Sequence, residues 1–242
     1  MSTSIRLGTA GWNVPKEHAT AFPMTGSHLE RYAQVFSAVE INSSFYRPHR
    51  RVTYERWAAS VPETFRFAVK VPGIITHQRR LKGAGEPLER FLSEVSGLGW
   101  KLGPLLLQLP PSLAFEPEVA GLFMQDLRQR VTGHVACEPR HRSWFTPQVE
   151  SLLEGLRIGR VAADPAPAPN GDRTGGWSGL AYVRLHGSPR VYYSSYSDEA
   201  IHAIMTQLGL RAAEGGECWC VFDNTAAFAA TGNALTARRR LR

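Results

Sequence analysis

The chain has 242 residues, and 28 Lys plus Arg against 21 Asp plus Glu leave it at +7 with histidine neutral. Hydrophobic residues at 43% and charged residues at 20% are ordinary globular usage, which excludes a disordered or collagen-like chain. No apolar run reaches the roughly 18 residues of a bilayer span, Met1–Gly11 lacks a secretory pattern, and three cysteines are too few for a disulfide framework, so a cytoplasmic protein with no membrane partner is expected.

Short apolar runs alternate with amphipathic stretches along the chain. The first strand is expected at Ile5–Ala10, then a helix over Ser27–Phe36, where Ser27 and Glu30 have capping-box spacing. Strand two, Ala38–Ile41, precedes helix Val52–Ala59, and strand three, Phe65–Lys70, precedes helix Pro87–Gly97. Strand four, Gly103–Leu109, leads to helix Glu116–Arg130, and strand five, His134–Glu138, to helix Pro147–Leu156. Pro87, Pro117 and Pro147 suit a first helical turn, where a missing N–H costs little. Strand six, Ile158–Ala162, runs into Asp164–Gly179, a Pro- and Gly-rich stretch that reads as a long irregular connection. Strand seven, Leu180–His186, helix Ser197–Glu214, strand eight, Glu217–Phe222, and helix Ala226–Arg239 complete the series.

Eight strands joined by helix-length connections favour parallel pairing, and eight such units in about 240 residues match a closed (β/α)8 TIM barrel. An open doubly wound sheet is the alternative, but Gly8-Thr9-Ala10-Gly11 supplies no G-x-G-x-x-G. A single domain over residues 1–242 is expected, with a mobile basic tail at 238–242. Arg238, Arg239, Arg240 and Arg242 account for four of the seven net charges.

In a barrel, alternate strand residues point inward and the carboxyl ends of the strands carry the active site. Period two then aligns Glu40 with Asn42, Lys70 with Ala68, and Glu138 with Ala136, and Gln108 is the polar residue of strand four. Arg140, His141 and Trp144 follow strand five, and Asp164 follows strand six. Strand seven shows Tyr182, Arg184 and His186 on one face, and strand eight ends in Asp223 and Asn224. Acids, bases and amides converging with aromatics point to a functional pocket. A salt-bridge network of Glu40, Glu138, Lys70 and Arg184 that merely closes the mouth would use the same residues. Cys137, Cys218 and Cys220 fall on the opposite faces and are expected to pack.

Several segments resemble the YecE-like family, domain of unknown function 72. They are Gly8-Thr9-Ala10-Gly11-Trp12, Val39 to Tyr46, Phe65 to Lys70, Ile75-Thr76-His77, Leu106 to Ser112, Glu138 to Trp144, Val183 to Gly187 and Val221 to Thr225. The likeness covers nearly the whole chain in order and implies a TIM barrel, but it implies no reaction. One departure is local: His18 to Pro23 stands where the family commonly has an aromatic followed by Phe-Tyr-Pro.

The chemistry expected is that of an acid–base enzyme on a small anionic substrate bearing phosphate or carboxylate. Glu138 is the first candidate for general acid or base, with Glu40 as its partner, and Lys70 and His186 complete the catalytic set. Lys70, Arg184 and His186, with His77 and Arg140, would bind the negative charge, and Asn42, Gln108 and Asn224 would orient it. Trp12, Tyr46 and Trp144 would stack on a substrate ring, and His141, Asp164 and Asp223 complete the binding set. Two glutamates and aromatics would also serve glycoside hydrolysis. No cofactor is expected. Glu40, Glu138, Asp164, His186 and Asp223 are ligand types for a divalent metal, but no H-E-x-x-H anchors one and the neighbouring cations oppose it. The alternatives are a non-catalytic metabolite-binding barrel and a nucleic-acid-binding or -processing protein. The latter would use Arg47, Arg50, Arg51 and Arg56, then Arg79, Arg80 and Lys82, with Tyr192, Tyr193 and Tyr196 as stacking groups.

Overall fold

The computed structural model describes residues 5–241, so Arg242 of the expected tail lies outside the described residues. The strands are β1 (Arg6–Thr9), β2 (Ala38–Ile41), β3 (Arg66–Lys70), β4 (Leu102–Gln108) and β5 (Val135–Glu138). They continue with β6 (Ile158–Arg160), β7 (Ala162–Asp164), β8 (Gly175–Gly176), β9 (Leu180–Leu185) and β10 (Glu217–Phe222). Where a single closed sheet is expected, two sheets appear, ordered β1-β10-β9-β7 and β2-β3-β4-β5-β6-β8. All pairs are parallel except β6 with β8. The fold is therefore α/β with parallel sheets.

Two junctions link the sheets. The expected sixth strand divides at Val161, so that β6 pairs with β5 while β7 pairs with β9. Val161 N–H still donates to the Cys137 carbonyl, at 2.8 Å. On the other side, an isolated parallel bridge joins Ala10 to Glu40, and Gly11 N–H donates to the Glu40 carbonyl at 2.9 Å.

The helices are α1 (His28–Ala33), α2 (Ser43–Tyr46), α3 (Arg51–Ala59), α4 (Gly85–Val95), α5 (Pro117–Arg130), α6 (Pro147–Gly155), α7 (Asp198–Ala213) and α8 (Ala229–Arg239). Ser27 and Glu30 form the expected capping box at α1. That helix tightens at its end, where the Val35 N–H takes an i−3 bond to the Tyr32 carbonyl. Thr146 and Ser197 cap α6 and α7 with their side chains. α8 starts three residues later than expected, after Phe228 in the left-handed region at φ 61°. Arg238 and Arg239 belong to its last turn, so the expected tail is helical through Arg239. The short α2 and a π-helical turn at Ile74–Gln78 lack sequence periodicity and are not expected from it.

Hydrophobic residues pack on both faces of the sheets. Val39, Phe67, Leu105, Leu107, Val135 and Leu185 meet the helices. Cys137, Cys218 and Cys220 are buried with them, and burial pushes all three thiols up, Cys220 to about 12. On the opposite face Ala38, Ala68, Leu106, Ala136, Val161 and Val221 surround the stacked rings of Tyr182 and Trp219, 5.8 Å apart. Small alanines on β2, β3 and β5 leave room for the two large rings of β9 and β10. This apolar layer is the floor beneath the polar strand ends.

β1 and β2 approach closely at Gly8, where a Cβ would strike the Ala38 carbonyl oxygen. Gly8→Ala is expected to cost about 1–3 kcal/mol, as overpacking does, read from the urea midpoint. In α5, where a Cβ at Gly121 meets nothing within 4 Å, Gly121→Ala is expected to gain about 0.5–1 kcal/mol. Equal midpoints for the two variants would contradict that close approach.

Candidate functional site

The polar layer above the floor is organised around Arg184, whose side chain is fully buried on β9. Its Nε and Nη2 donate to the two Glu40 oxygens at 2.9 and 2.6 Å, Nη1 donates to Glu138 Oε2 at 2.7 Å, and Nη2 also donates to Asp223 Oδ2 at 2.9 Å. Tyr182 O–H donates to Glu40 Oε2 at 2.8 Å, joining the apolar floor to the network. The network thus spans β2, β5 and β9 and the residue following β10. Burial alone would push the Glu138 carboxyl up, but Arg184, His186 and Arg140 together outweigh it and hold it well below the carboxylate range. Asp223 follows the same pattern: burial raises it, and Arg184, His186 and Lys70 bring it below its ordinary value. Burial also opposes the Arg184 charge, which Glu138, Glu40 and Asp223 more than restore.

His186 sits between two carboxylates. Nδ1 lies 3.0 Å from Asp223 Oδ2, and Nε2 lies 2.9 Å from Glu138 Oε1. Arg140 Nη2 is 2.8 Å from the same Nε2 and 2.7 Å from Glu138 Oε1, so its two N–H bonds can serve both. Lys70 is also buried; its ammonium has no hydrogen bond or ion pair with another described residue, and Nζ lies 4.3 Å from the centre of the Phe45 ring. Burial and then Arg184 lower the Lys70 pKa, against the pull of Glu40, Asp223 and Glu138. His77 packs edge-on to Phe45 at 4.8 Å, and burial, Lys70 and Arg140 lower its pKa. Asn42 donates to Asp223 Oδ1 at 3.3 Å, while its own Oδ1 is buried without a partner, as is Arg140 Nε.

The structure therefore brings together Glu40, Lys70, Glu138, Arg140, Arg184, His186, Asp223, Asn42 and His77. The expected positive pocket is corrected in one respect. Arg184, Arg140 and Lys70 stand against Glu40, Glu138 and Asp223, so three cations face three carboxylates around His186. Four of the five Arg184 N–H bonds go to carboxylates, which leaves one Nη1 N–H for any further acceptor.

Other expected site residues have different work. Trp144 is 1% exposed, donates to the Leu113 carbonyl at 2.8 Å and packs on Phe115, so it is core and not a stacking platform. His141 caps the turn at Arg142–Trp144 through Ser143. Asn224 donates to the Ser194 carbonyl and to Asn233, fixing the loop after β9 to α8 rather than orienting a substrate. Trp12 packs edge-on against Trp57. Tyr46 is 81% exposed beside Phe45, and Gln108 ends β4 without a hydrogen bond to the network. Asp164 shares its strand face with Ala162 and lines a separate cavity of about 870 Å³ together with Val183, Leu185 and Ile204. Burial raises its pKa there.

Three residues outside the expected site set belong near this centre. Tyr182 carries Glu40, Phe45 faces Lys70, and Tyr192 stands edge-on to His186 with ring centres 5.8 Å apart. The phenol of Tyr192 is raised by burial and then by Asp223, which registers its nearness to the carboxylates. The tyrosine-rich sequence after β9 is the signal for Tyr192. The inward period of strand seven is the signal for Tyr182.

The donor set does not suit a divalent metal. Of the four carboxylates expected as ligands, Glu40, Glu138 and Asp223 accept from the guanidinium of Arg184, which occupies the space between them, and Asp164 lines another cavity. Among the described residues no group of three or more His, Cys, Asp or Glu is disposed around a common metal position.

The family model described as "Protein of unknown function DUF72" matches residues 6–242. UPF0759 protein YecE of Escherichia coli K12 is 30% identical over 171 residues, which are 67% of this chain and 60% of that protein's length. A crystal structure of a DUF72 family protein from Enterococcus faecalis V583 superposes with a TM-score of 0.83 at 23% identity, covering 98% of this chain and 95% of the other. A more distant likeness is to a xylose isomerase-like TIM barrel/4-hydroxyphenylpyruvate dioxygenase fusion protein, at a TM-score of 0.52 and 13% identity. It covers 97% of this chain and 42% of the other. These structural likenesses speak to the fold, which is TIM-barrel-like.

Arg184→Met keeps much of the side-chain volume but leaves Glu40, Glu138 and Asp223 facing one another. We expect it to cost about 3–5 kcal/mol at pH 7 in urea unfolding, as breaking a buried pair does. Glu138 and Asp223 are held low in the folded state, so their stabilisation is complete above the ordinary carboxyl range and is lost as pH falls below about 4. The deficit of the variant should therefore shrink below that pH. A variant as stable as the parent at pH 7 would show that the network carries no weight.

Proposed function

The chain belongs to the DUF72 family, to which no function is assigned, and from that premise we propose an acid–base enzyme acting on a small phosphate- or carboxylate-bearing substrate at the mouth of a closed (β/α)8 barrel. Closure is supported by the divided strand at Val161 and by the Ala10–Glu40 bridge, which lie where the two sheets would join into one ring. The observation that carries the chemical reading is the setting of His186, with a carboxylate at each ring nitrogen and Arg140 sharing one of them.

Asp223 accepts only, so it holds a proton on His186 Nδ1 and leaves Nε2 as the atom that gains or loses one. With Nε2 bare, Arg140 donates to it. With Nε2 protonated, Glu138 Oε1 accepts from it. Both states have a partner in place, so proton transfer needs little rearrangement. Glu138, ionised and fully engaged, is a positioning residue in this reading, and the proton passes through His186. Glu40 orients Arg184, which orients Glu138. The substrate anion is received by Lys70 Nζ and Arg140 Nε, and the free Asn42 Oδ1 accepts from a neighbouring hydroxyl. His186 is fully buried, so the substrate reaches it by displacing the Tyr192 ring.

A thermal-shift screen with inorganic phosphate, phosphorylated metabolites and neutral sugars tests this reading. A ligand at a hundred times its Kd raises stability by about 2.7 kcal/mol. Phosphate-bearing compounds are expected to give shifts that Lys70→Ala removes. For the reaction so identified, His186→Asn should lower kcat at least a hundredfold while leaving the ligand-induced shift in place. Equal shifts from neutral sugars in the parent and in Lys70→Ala, or undiminished turnover in His186→Asn, would contradict it.

A further inference from the structure

The excess positive charge is not spread evenly over the molecule. Four loops leave the carboxyl ends of β2, β3, β5 and β9, over residues 42–50, 71–84, 139–146 and 186–197. Together they contain eight Lys or Arg and no Asp or Glu. At the average of the chain, 21 acids in 242 residues, about four would stand there. Parallel strands put these loops at one end of the fold, around Lys70 and Arg140. Arg47, Arg50, Arg142 and Arg190 are exposed, and none of the four makes an ion pair with another described residue. Lys82, by contrast, is paired with Glu116, and Arg80 is tied to Ser112.

The same loops hold exposed aromatic rings. Tyr46 is 81% exposed, Tyr193 45% and Tyr192 40%, and the Arg190 guanidinium lies 3.9 Å from the centre of the Tyr193 ring. An arginine rim serves any polyanion, but large exposed rings interleaved with it suit a polyanion that carries flat bases. The strand must be single, because the exposed rings of Tyr46 and Tyr193 can stack only on base faces that a duplex keeps stacked on one another.

We infer that the mouth binds single-stranded nucleic acid: Arg47, Arg50, Arg142 and Arg190 neutralise successive phosphates, Tyr46 and Tyr193 stack bases, and one phosphate is delivered to Lys70 and Arg140. This names the substrate class for the anion site proposed above and rests on that reading only for the delivery step. The rim requires only the loops.

The test is fluorescence anisotropy with labelled twelve-nucleotide oligo-dT and oligo-U, at 50 to 200 mM salt, with the intact chain. Four phosphate contacts predict a slope of log K against log salt of about −3. Arg47→Ala/Arg50→Ala and Tyr46→Ala/Tyr193→Ala should each bind at least tenfold more weakly, with thermal midpoints near the parent's. Lys70→Ala should lose the response to inorganic phosphate. A phosphate response with oligonucleotides binding no tighter than phosphate would overturn the rim and leave the anion site standing. Rim-dependent binding with no phosphate response in the parent would leave the rim and overturn the anion site. Binding unaffected by the rim variants but lost in Arg238→Ala/Arg239→Ala/Arg240→Ala, or matched per phosphate by inorganic polyphosphate, would overturn the inference.

Discussion

Burying a guanidinium is tolerable only if carboxylates surround it, and Arg184 imposes that condition on much of the molecule. Glu40, Glu138 and Asp223 come from or follow three different strands, and each must end at the same height for Arg184 to reach all of them. The parallel registers supply that height: Gln108 stands beside Glu138, and Val221 beside Arg184 two residues before Asp223. The apolar floor below makes the demand stricter, because its packed side chains offer the charges no alternative partner. Tyr182 belongs to both layers, with its ring on Trp219 and its hydroxyl on Glu40.

Such a network has two consequences for function. It ties four of the five Arg184 N–H bonds into structure, so the anion site we propose lies outward at Lys70 and Arg140. It also fixes Glu138 and Asp223 as ionised acceptors on either side of His186, so the imidazole is the group left with a choice of protonation state. In the function we propose, a base of paired charges lies under a cationic rim, which divides chemistry from recognition.

Period-two reasoning located the centre well where strands obey it. Glu40, Lys70, Glu138, Arg184 and His186 share one face because each follows its strand's alternation. It could have placed Asp164 too: Ile158 and Ala162, at even spacing from it, are apolar residues packed toward the helices, and Asp164 follows them outward. Loop residues obey no such rule. Trp144, His141 and Asn224 follow strand ends just as Arg140 and Asp223 do, and only the local turns decide that the first three are spent on Leu113, Ser143 and Asn233. The division of strand six at Val161 and the left-handed Phe228 are also tertiary effects without a sequence signature.

The role of His186 depends on which ring nitrogen holds the proton in its neutral form. A long-range proton–nitrogen NMR spectrum of the imidazole, recorded on the intact chain and on Asp223→Asn, reads this directly. The geometry predicts a proton on Nδ1 in the neutral ring of the parent, held by Asp223, with Nε2 bare toward Arg140. A neutral ring protonated on Nε2, with Nδ1 bare toward Asp223, would contradict it.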